Sequence, residues 1–232
     1  QALLDAGFAI VTPNHRSSND AKFPAQINDV KAVIRFVRGN AAKYNLDTSF
    51  IGITGFSSGG HLASLTGTSG HIKKFTVGSA TMDLEGTVGH YTNFCSSVDA
   101  VVDWFGPTNF LAMDSCGCKM VHNAPNSPEA NLLGVPIQNN KDKCALANPM
   151  TYIDPTDPPF LLLHGDKDPL VPHCESEMFY KALQKAGVAS EFVLVPGAQH
   201  GPGLFEEKYY KMMTDFFLSK YKKHKGCEKK II

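Results

Sequence analysis

The sequence predicts an α/β fold in which a mostly parallel sheet is covered by helices on both faces. Two observations predict this class. Short, continuously apolar segments, such as "FLLL" at 160–163, alternate along the chain with longer amphipathic segments. Strands of parallel sheets are buried on both faces, so they lack the polar–apolar alternation of a half-exposed strand. Strands that alternate with helices in this way indicate parallel pairing through helical crossovers.

The amino-terminal part is expected to contain one strand and one long helix. A short helix should stop at Gly7 and lead into a strand at about residues 8–12. Residues 23–45 show helical periodicity, with an apolar side and a charged side. The apolar side carries Ile27, Val30, Ile34 and Val37, and the other side carries Asp29, Lys31, Arg35 and Arg38.

The rest of the chain continues the alternation of strands and helices. The expected strands lie within 49–56, 97–108, 159–168 and 190–197, and the expected helices within 57–69, 173–187 and 205–221. The strand at 49–56 is short and apolar, which is typical of burial on both faces. Gly187 is expected to end the helix that precedes it.

Residues 107–158 interrupt this pattern, because the stretch is rich in Asn, Pro, Ser and Cys. It contains one helix signal, with Ser127 as the N-cap and Pro128 at the first helical position. We interpret the stretch as an insertion over the sheet edge, either a cap or substrate wall, or a decorative loop. Residues 1–232 are therefore expected to form a single domain that carries one cap-like insertion.

Composition and charge exclude several classes of partner. The chain is 43% hydrophobic and 19% charged, with a formal net charge of zero. A neutral chain has no broad attraction to nucleic acid or to anionic membranes, so neither is expected as a partner. No apolar run approaches the roughly 20 residues that a membrane span needs. The basic cluster at 220–230 is interpreted as a solvated tail, with a binding patch as the alternative.

The six cysteines follow no regular framework, so they do not decide between a secreted and a cytosolic protein. The "CGC" at 116–118 could suggest a metal or redox site. However, no second cysteine or histidine pair lies at zinc-site spacing, so no metal is expected. A disulfide from Cys116 or Cys118 to Cys144 is our hypothesis for this region.

The stretch "GFSSG" at 55–59 fits the G-x-S-x-G pattern of a serine nucleophile. A nucleophile at the end of a strand needs a sharp turn into the following helix, and the residues two before and two after it must be small. Ser57 has Gly55 and Gly59 at these places, whereas Ser58 would have Phe56 on one side. The pattern therefore selects Ser57, and a plain glycine turn is the alternative.

A serine nucleophile needs a base, and the base needs an acid that orients it. In this architecture the three residues follow strand ends in the order Ser, acid, His. The loop after 160–163 offers two acids, Asp168 and Asp166, and the loop after 190–195 offers His200. We assign His200 as the base and prefer Asp168 as the acid, because Asp166 directly follows a turn glycine and is more suited to bracing the loop.

The remaining polar residues of these strand ends are interpreted as structural. His164 ends its strand as a packed core residue, and His61 braces the turn after Ser57. Asp103 could face the site, but a structural role is the preferred interpretation. No partner pattern is visible in the sequence for His15, His71, His90, His122, His173 and His224.

Taken together, these motifs resemble the α/β-hydrolase esterases. The resemblance extends from about Leu3 to Phe217 and is carried mainly by residues 23–68, 104–110, 158–172 and 195–201. Within that superfamily the chain is most similar to bifunctional feruloyl and acetyl xylan esterases and related carbohydrate acetyl esterases. The catalytic blocks are less specific for the substrate, because arylformamidases and prolyl-oligopeptidase-type peptidases carry similar ones.

The resemblance implies roles for four residues and no need for a metal or organic cofactor. It implies Ser57 as the nucleophile, Asp168 as the acid and His200 as the base, with the backbone N–H of Ser58 as one oxyanion donor. The implied reaction is hydrolysis of acetyl or feruloyl esters on plant polysaccharide through an acyl-enzyme. Small esters and esterified oligo- or polysaccharides are the implied substrates.

The sequence departs from this family at its amino terminus. The family takes its second oxyanion donor from a His-Gly-Gly-type loop, and the similar "HGPG" at 200–203 belongs to the base. If residues 8–16 hold the family's fourth strand, its first three strands lie upstream of Gln1. We therefore expect a fragment of a longer enzyme. Within this chain, either residues 9–13 pair directly with 51–55, or a gap remains between them.

Two rival interpretations stay open at the level of sequence. One is a serine peptidase of the prolyl-oligopeptidase type, and the other is a non-catalytic module with a hydrolase fold. An esterase that acts on a polymer would be exported to the periplasm or the medium, and a cytoplasmic location is the alternative. The sequence does not determine the oligomeric state.

Overall fold

A four-stranded parallel sheet forms the centre of the computed structural model, which describes residues 1–117 and 119–222. Its strands are β1 (Gly52–Phe56), β4 (Ala100–Trp104), β5 (Phe160–Gly165) and β6 (Ser190–Val195), paired in that order. The strands β2 (Lys74–Val77) and β3 (Ala80–Asp83) form a separate antiparallel hairpin. The α/β fold with a parallel sheet is therefore confirmed, whereas the hairpin had no signal in the sequence analysis.

Helices surround the sheet in the predicted order. They are α1 (Ala2–Asp5), α2 (Ala25–Gly39), α3 (Ala41–Tyr44), α4 (Ser58–Thr68), α5 (Pro128–Leu133), α6 (Lys141–Ala147), α7 (Cys174–Lys185) and α8 (Glu207–Tyr221). The expected stops of α1 and α7 are confirmed, because Gly7 and Gly187 follow them with φ of +89° and +81°. Among the described residues, no helix is both long enough and apolar enough to cross a membrane.

The core lies on both faces of the two central strands. On β5, Phe160 and Leu162 point into one cluster, which they share with side chains of α2, α4 and α7. Leu161 and Leu163 point into a second cluster, which they share with α8. Burying an aliphatic or aromatic side chain of this kind contributes about 1.5–3 kcal/mol relative to leaving it exposed. The two clusters therefore fix the helices on opposite faces and hold the carboxyl ends of the strands in place.

The amino-terminal strand expected at residues 8–12 is wrong, since residues 8–17 contain no strand. Residues 9–13 do not pair with β1, because β1 pairs only with β4 among the described strands. Of the two alternatives, a gap between these segments is therefore the one observed. A cavity of about 670 Å³ lies beside β1, lined by Phe8, Ile10 and Val11 together with residues of the strand. Consequently β1 alternates between exposed and half-buried positions instead of being buried on both faces, as the sequence predicted.

The three basic residues on the charged side of α2 are buried, which its helical periodicity does not indicate. Lys31 and Arg35 both form ion pairs with Glu85, and Lys31 also donates to the carbonyl of Ser69 at 2.6 Å. Arg38 donates to the carbonyls of Thr48, Cys95 and Ser97. Burial lowers the pKa of Lys31 to about 8. The chain between α4 and β4 covers this side of the helix with backbone acceptors, which a helical pattern alone does not reveal.

The insertion at 107–158 supplies helices and, among its described residues, no strand of the sheet. Ser127 caps α5 as predicted, accepting the backbone N–H of Ala130 at 3.1 Å. The hypothesised disulfide to Cys144 is wrong, because Cys116 is bonded to Cys174 and Cys144 is a buried free thiol. The start of the insertion packs against α7, so cysteine spacing alone suggested the wrong partner.

The free Cys144 rules out the bridge from Cys118 as well as the bridge from Cys116. Two other interpretations from the sequence concern residues outside the described ranges. They are the part of the solvated basic cluster at 223–230, and His224, for which no partner pattern was visible.

Candidate active site

Ser57 occupies the sharp turn between β1 and α4. Its φ of 54° and ψ of −119° lie in a region that side-chain-bearing residues rarely adopt. Two backbone hydrogen bonds hold this conformation. The N–H of Ser57 donates to the carbonyl of Trp104 at 2.9 Å, and the carbonyl of Ser57 accepts the N–H of His61 at 3.0 Å. The turn therefore presents the Ser57 side chain at the carboxyl edge of the sheet.

The glycines around Ser57 differ in what they contribute to the turn. A Cβ added at Gly55 would overlap the backbone of Gly59, which confirms that Gly55 must be small. The same expectation for Gly59 is wrong, because a Cβ there would meet no described atom within 4 Å. The tight position is Gly60, where a Cβ would overlap the Asp103 carboxylate and approach the Gly106 backbone at 3.0 Å. Gly59 faces the cavity beside β1, whereas Gly60 faces β4.

Ser57, His200 and Asp168 form a continuous chain of hydrogen bonds. The Nε2 of His200 lies 2.8 Å from the Oγ of Ser57, and its Nδ1 lies 2.7 Å from Oδ2 of Asp168. The carboxylate of Asp168 is fully buried, and the imidazole of His200 is 17% exposed. The structure thus brings together the three residues that the sequence selected from three separate strand ends. Their geometry is that of a nucleophile, a base and an orienting acid.

The two acids of the loop after β5 have different partners. Asp166 accepts the backbone N–H of Gly197 through Oδ1 at 2.6 Å, which links this loop to the end of β6. That contact is the bracing arrangement that the sequence suggested for Asp166. Asp168 accepts the N–H groups of Leu170 and Val171 through Oδ1, at 2.8 and 2.9 Å. Its Oδ2 is left to face His200.

The environment of Asp168 keeps its carboxylate charged. Burial alone would raise the pKa of Asp168. Hydrogen bonds from His164, from His200 and from the backbone of the following turn outweigh burial, so this pKa lies well below its usual range. Asp168 therefore stays ionised at any pH at which an imidazole can act as a base, and it can stabilise the imidazolium that forms on His200.

A second buried carboxyl, that of Asp103, lies beside the Ser57 turn. Asp103 accepts the hydroxyl of Ser64 at 2.5 Å and the N–H of Gly106 at 2.8 Å. Burial raises the pKa of Asp103. Ser64 belongs to α4 and Gly106 follows β4, so Asp103 joins α4 to the end of β4. The structural interpretation of Asp103 fits these contacts better than a position facing substrate.

Phe56, Phe105 and Phe205 form an aromatic wall beside His200, which was not predicted from the sequence. The ring of Phe105 meets the imidazole of His200 edge to face, with centroids 4.6 Å apart, and Phe105 itself has a φ of +46°. Phe56 and Phe205 pack against Phe105 and against one another, and they are 43% and 50% exposed. The only sequence signal was the position of Phe105 directly after β4.

Two buried histidines outside the triad hold the insertion in place. The side chain of His61 lies with Nε2 2.7 Å from the carbonyl of Ala147, so it holds the insertion, whereas the expected bracing of the Ser57 turn comes from its backbone N–H. Burial lowers the pKa of His61, which favours its neutral form. His122, for which the sequence showed no partner, lies 3.0 Å from Glu129 and 2.9 Å from the carbonyl of Leu170. These contacts tie the insertion to α4 and to the loop of Asp168.

The first turn of α4 offers backbone donors to an anion. Ser58 is the first residue of this helix, and the N–H groups of a first helical turn have no acceptor within the helix. The positive end of the helix dipole points the same way. The backbone N–H of Ser58 can therefore bind the oxyanion that develops when Ser57 attacks a carbonyl. The expected lack of a second donor in this chain stays a prediction.

The described residues contain one group of three potential metal ligands, Cys116, Cys174 and Glu175. Both sulfur atoms are engaged in the disulfide, and Glu175 accepts the backbone N–H groups of Thr108 and Asn109. This group serves to join the insertion to α7. The Ser57 site contains the groups that acyl transfer requires: a nucleophile, a base, an ionised acid and a helix amino terminus.

Comparison with known proteins connects this geometry to ester hydrolases. The sequence model of the BD-FAE family matches residues 1–183. The structure of a truncated carbohydrate esterase from gut microbiota has 49% sequence identity and a TM-score of 0.91, covering 95% of this chain and 77% of that one. The structure of a bifunctional GH43-CE protein of Bacteroides eggerthii has 58% identity and a TM-score of 0.91, covering 95% and 28%.

Curated sequences give the same result at lower identity. The esterase LipQ of Mycobacterium tuberculosis is 31% identical over 199 residues, which make up 85% of this chain and 44% of LipQ. The chain spans less than half the length of the curated relatives it matches. These similarities confirm the resemblance to α/β-hydrolase esterases that the sequence motifs indicated.

Neighbouring glycines of α4 offer a matched test of the turn. We expect Gly60→Ala to lower the free energy of unfolding by about 1–3 kcal/mol, because the added methyl group overlaps Asp103 and Gly106. Gly59→Ala should be neutral or stabilising by up to about 1 kcal/mol, since alanine favours a helix and the space is open. Chemical denaturation of both variants measures the difference. Equal stability of the two would contradict the assigned packing.

Proposed function

Because the chain belongs to the BD-FAE family, we propose that it is a serine carbohydrate esterase acting on acetyl or feruloyl esters of plant polysaccharide such as xylan. The observation that supports the proposal most strongly is the hydrogen-bonded chain from Ser57 through His200 to Asp168. Further support comes from the structural similarity to the carbohydrate esterase from gut microbiota. Action on an external polysaccharide would require export, and the Cys116–Cys174 disulfide is typical of exported proteins.

In the proposed reaction, the first half transfers the acyl group to the enzyme. His200 Nε2 takes the proton of the Ser57 hydroxyl while Oγ attacks the ester carbonyl. The N–H of Ser58 donates to the resulting oxyanion, and each such donor is worth about 10²–10³ in rate. Asp168, held by its two backbone donors, keeps His200 in the tautomer that leaves Nε2 free to accept. The imidazolium then gives its proton to the departing sugar hydroxyl.

In the proposed second half, water releases the acid. His200 takes a proton from a water molecule that attacks the acyl carbon, and the same oxyanion donor is used again. Collapse of the intermediate returns the proton from His200 to Ser57 Oγ and frees the carboxylic acid. The buried Asp168 stays ionised in both halves. All proton transfers therefore pass through the imidazole of His200, which is hydrogen-bonded to Asp168 and Ser57.

The aromatic wall supports an aromatic acyl group or a sugar ring at this site. Phe205 packs over Gly201, directly after His200, and half of its surface is exposed. Aromatic rings bind the faces and edges of other rings with a preference of about 0.5–1.5 kcal/mol beyond simple burial. A feruloyl group carries such a ring, whereas an acetyl group does not. The choice between the two acyl groups is thus expected to depend on Phe56 and Phe205.

Replacement of the nucleophile tests the proposed chemistry. We expect Ser57→Ala to reduce turnover of an acetylated xylo-oligosaccharide by about 10⁴-fold or more, since attack on the carbonyl is lost. Ser58→Ala should keep most activity, because the proposed role of Ser58 uses its backbone N–H and not its hydroxyl. Initial rates on folded proteins measure both. Undiminished turnover by Ser57→Ala, or complete loss in Ser58→Ala alone, would reject the assignment of the nucleophile.

The same assay separates the two rival functions. A peptidase of the prolyl-oligopeptidase type would hydrolyse a prolyl peptide faster than the acetylated sugar. A non-catalytic module would hydrolyse neither substrate. Hydrolysis of the ester alone is the result that the proposal predicts.

Truncation of one aromatic ring tests the acyl preference. We expect Phe205→Ala to raise KM for methyl ferulate by about two- to tenfold, since one ring contact is lost. KM for a simple acetyl ester should change less. Phe36→Ala is the matched control, because Phe36 is a similarly exposed ring that packs on Tyr44 and Tyr91. An equal effect of both variants on methyl ferulate would contradict the role of the wall.

A further inference from the structure

His164 is completely buried at the carboxyl end of β5, next to the triad. Its Nε2 lies 2.9 Å from the carbonyl oxygen of Val171 and 3.3 Å from Oδ2 of Asp168. A carbonyl and an ionised carboxylate can only accept hydrogen bonds. Nε2 must therefore carry a proton, which the two acceptors share.

The other ring nitrogen has a partner that permits this tautomer. The Nδ1 of His164 lies 2.7 Å from the hydroxyl of Ser176 in the first turn of α7. A hydroxyl can donate as well as accept, so Ser176 can pair with Nδ1 while Nε2 keeps its proton. Ser176 is itself buried. The ring of His164 is thus fixed in orientation by α7.

These contacts close a small ring of hydrogen bonds around the acid. His164 donates to the carbonyl of Val171, and the backbone N–H of Val171 donates to Oδ1 of Asp168 at 2.9 Å. His164 also approaches Oδ2, the oxygen that faces His200. One side chain therefore fixes both the turn that carries Asp168 and the carboxylate oxygen that orients the base.

We propose that His164 is a positioning residue of the esterase reaction, which holds Asp168 through a shared Nε2 proton and through the Val171 carbonyl. The inference rests on the proposed function and adds a residue that sequence analysis assigned to core packing. Packing alone would not require a donor beside Oδ2. An imidazole with both nitrogens engaged, buried between a catalytic carboxylate and a helix, provides that donor.

Other ionisable groups surround His164, and none replaces this contact. Asp103 on β4 and Glu175 on α7 both act on it electrostatically. Each has donors of its own, Ser64 and Gly106 for Asp103, and Thr108 and Asn109 for Glu175. The ring of Phe105 borders the imidazole at 6.3 Å between centroids. Asp168 is the acid within reach of Nε2.

The decisive comparison uses two replacements of similar volume in the full protein. His164→Met removes the donor, whereas the amide of His164→Gln can place an N–H near the position of Nε2. We expect His164→Met to lower kcat about ten- to hundredfold with little change in KM, since one charge-assisted hydrogen bond is lost. The kcat of His164→Gln should be at least about tenfold higher than that of His164→Met.

The pH profile separates positioning from packing. A carboxylate without this donor holds the protonated form of His200 more strongly. The acidic limb of the kcat/KM profile should therefore move to higher pH in His164→Met and return towards that of the natural protein in His164→Gln. Thermal unfolding of each variant measures its loss of stability. A loss of kcat that comes only from lower stability would leave the acidic limb unmoved.

Ser176→Ala tests the same contact if His164→Met does not fold. This variant removes the hydroxyl that holds Nδ1 of His164, and it should lower kcat several-fold with the same shift of the acidic limb. Equal kcat and an unmoved limb in the Met and Gln variants, or in Ser176→Ala, would overturn the inference. If the natural protein itself shows no esterase turnover, the proposed function fails instead.

Discussion

The hydrogen bond between His200 and Ser57 depends on the backbone of a single residue. Ser57 lies at a φ of 54°, a strained conformation that persists only where its surroundings determine it. The carbonyl of Trp104 and the N–H of His61 supply that constraint from the neighbouring strand and helix. Because β1, β5 and β6 are parallel, their carboxyl ends meet at one edge of the sheet, where the serine finds its base and its acid.

A layer of buried polar groups beneath this edge keeps the arrangement rigid. Asp103 joins α4 to the end of β4, and Glu175 joins α7 to the start of the insertion. Asp103 has two donors, and the donors to Glu175 all meet its Oε2, which reduces the cost of burying these acids. The Cys116–Cys174 disulfide adds a covalent link at the same place. The loop of Asp168 is thus held from the sheet, from a helix and from the insertion.

Local sequence patterns predicted the central strands, the major helices and the order of the site residues. They succeeded because apolar runs, helical periodicity and the small residues around Ser57 report constraints that act within a few positions. They failed where distant segments decide. The burial of Lys31 and Arg35 depends on acceptors 38 and 50 residues further along the chain, and the partner of Cys116 depends on how the insertion folds back. Likewise, the alternating exposure of the residues of β1 depends on the cavity that lies beside this strand.

Covalent labelling with a fluorophosphonate probe, followed by peptide mapping of the adduct, tests whether Ser57 is the serine that His200 activates. Such a probe reacts with a serine whose hydroxyl is activated by a neighbouring base. We predict one adduct, on Ser57, and no adduct after His200→Ala. A protein that hydrolyses esters but carries the label on Ser58 or elsewhere, or remains unlabelled, would contradict the site described above.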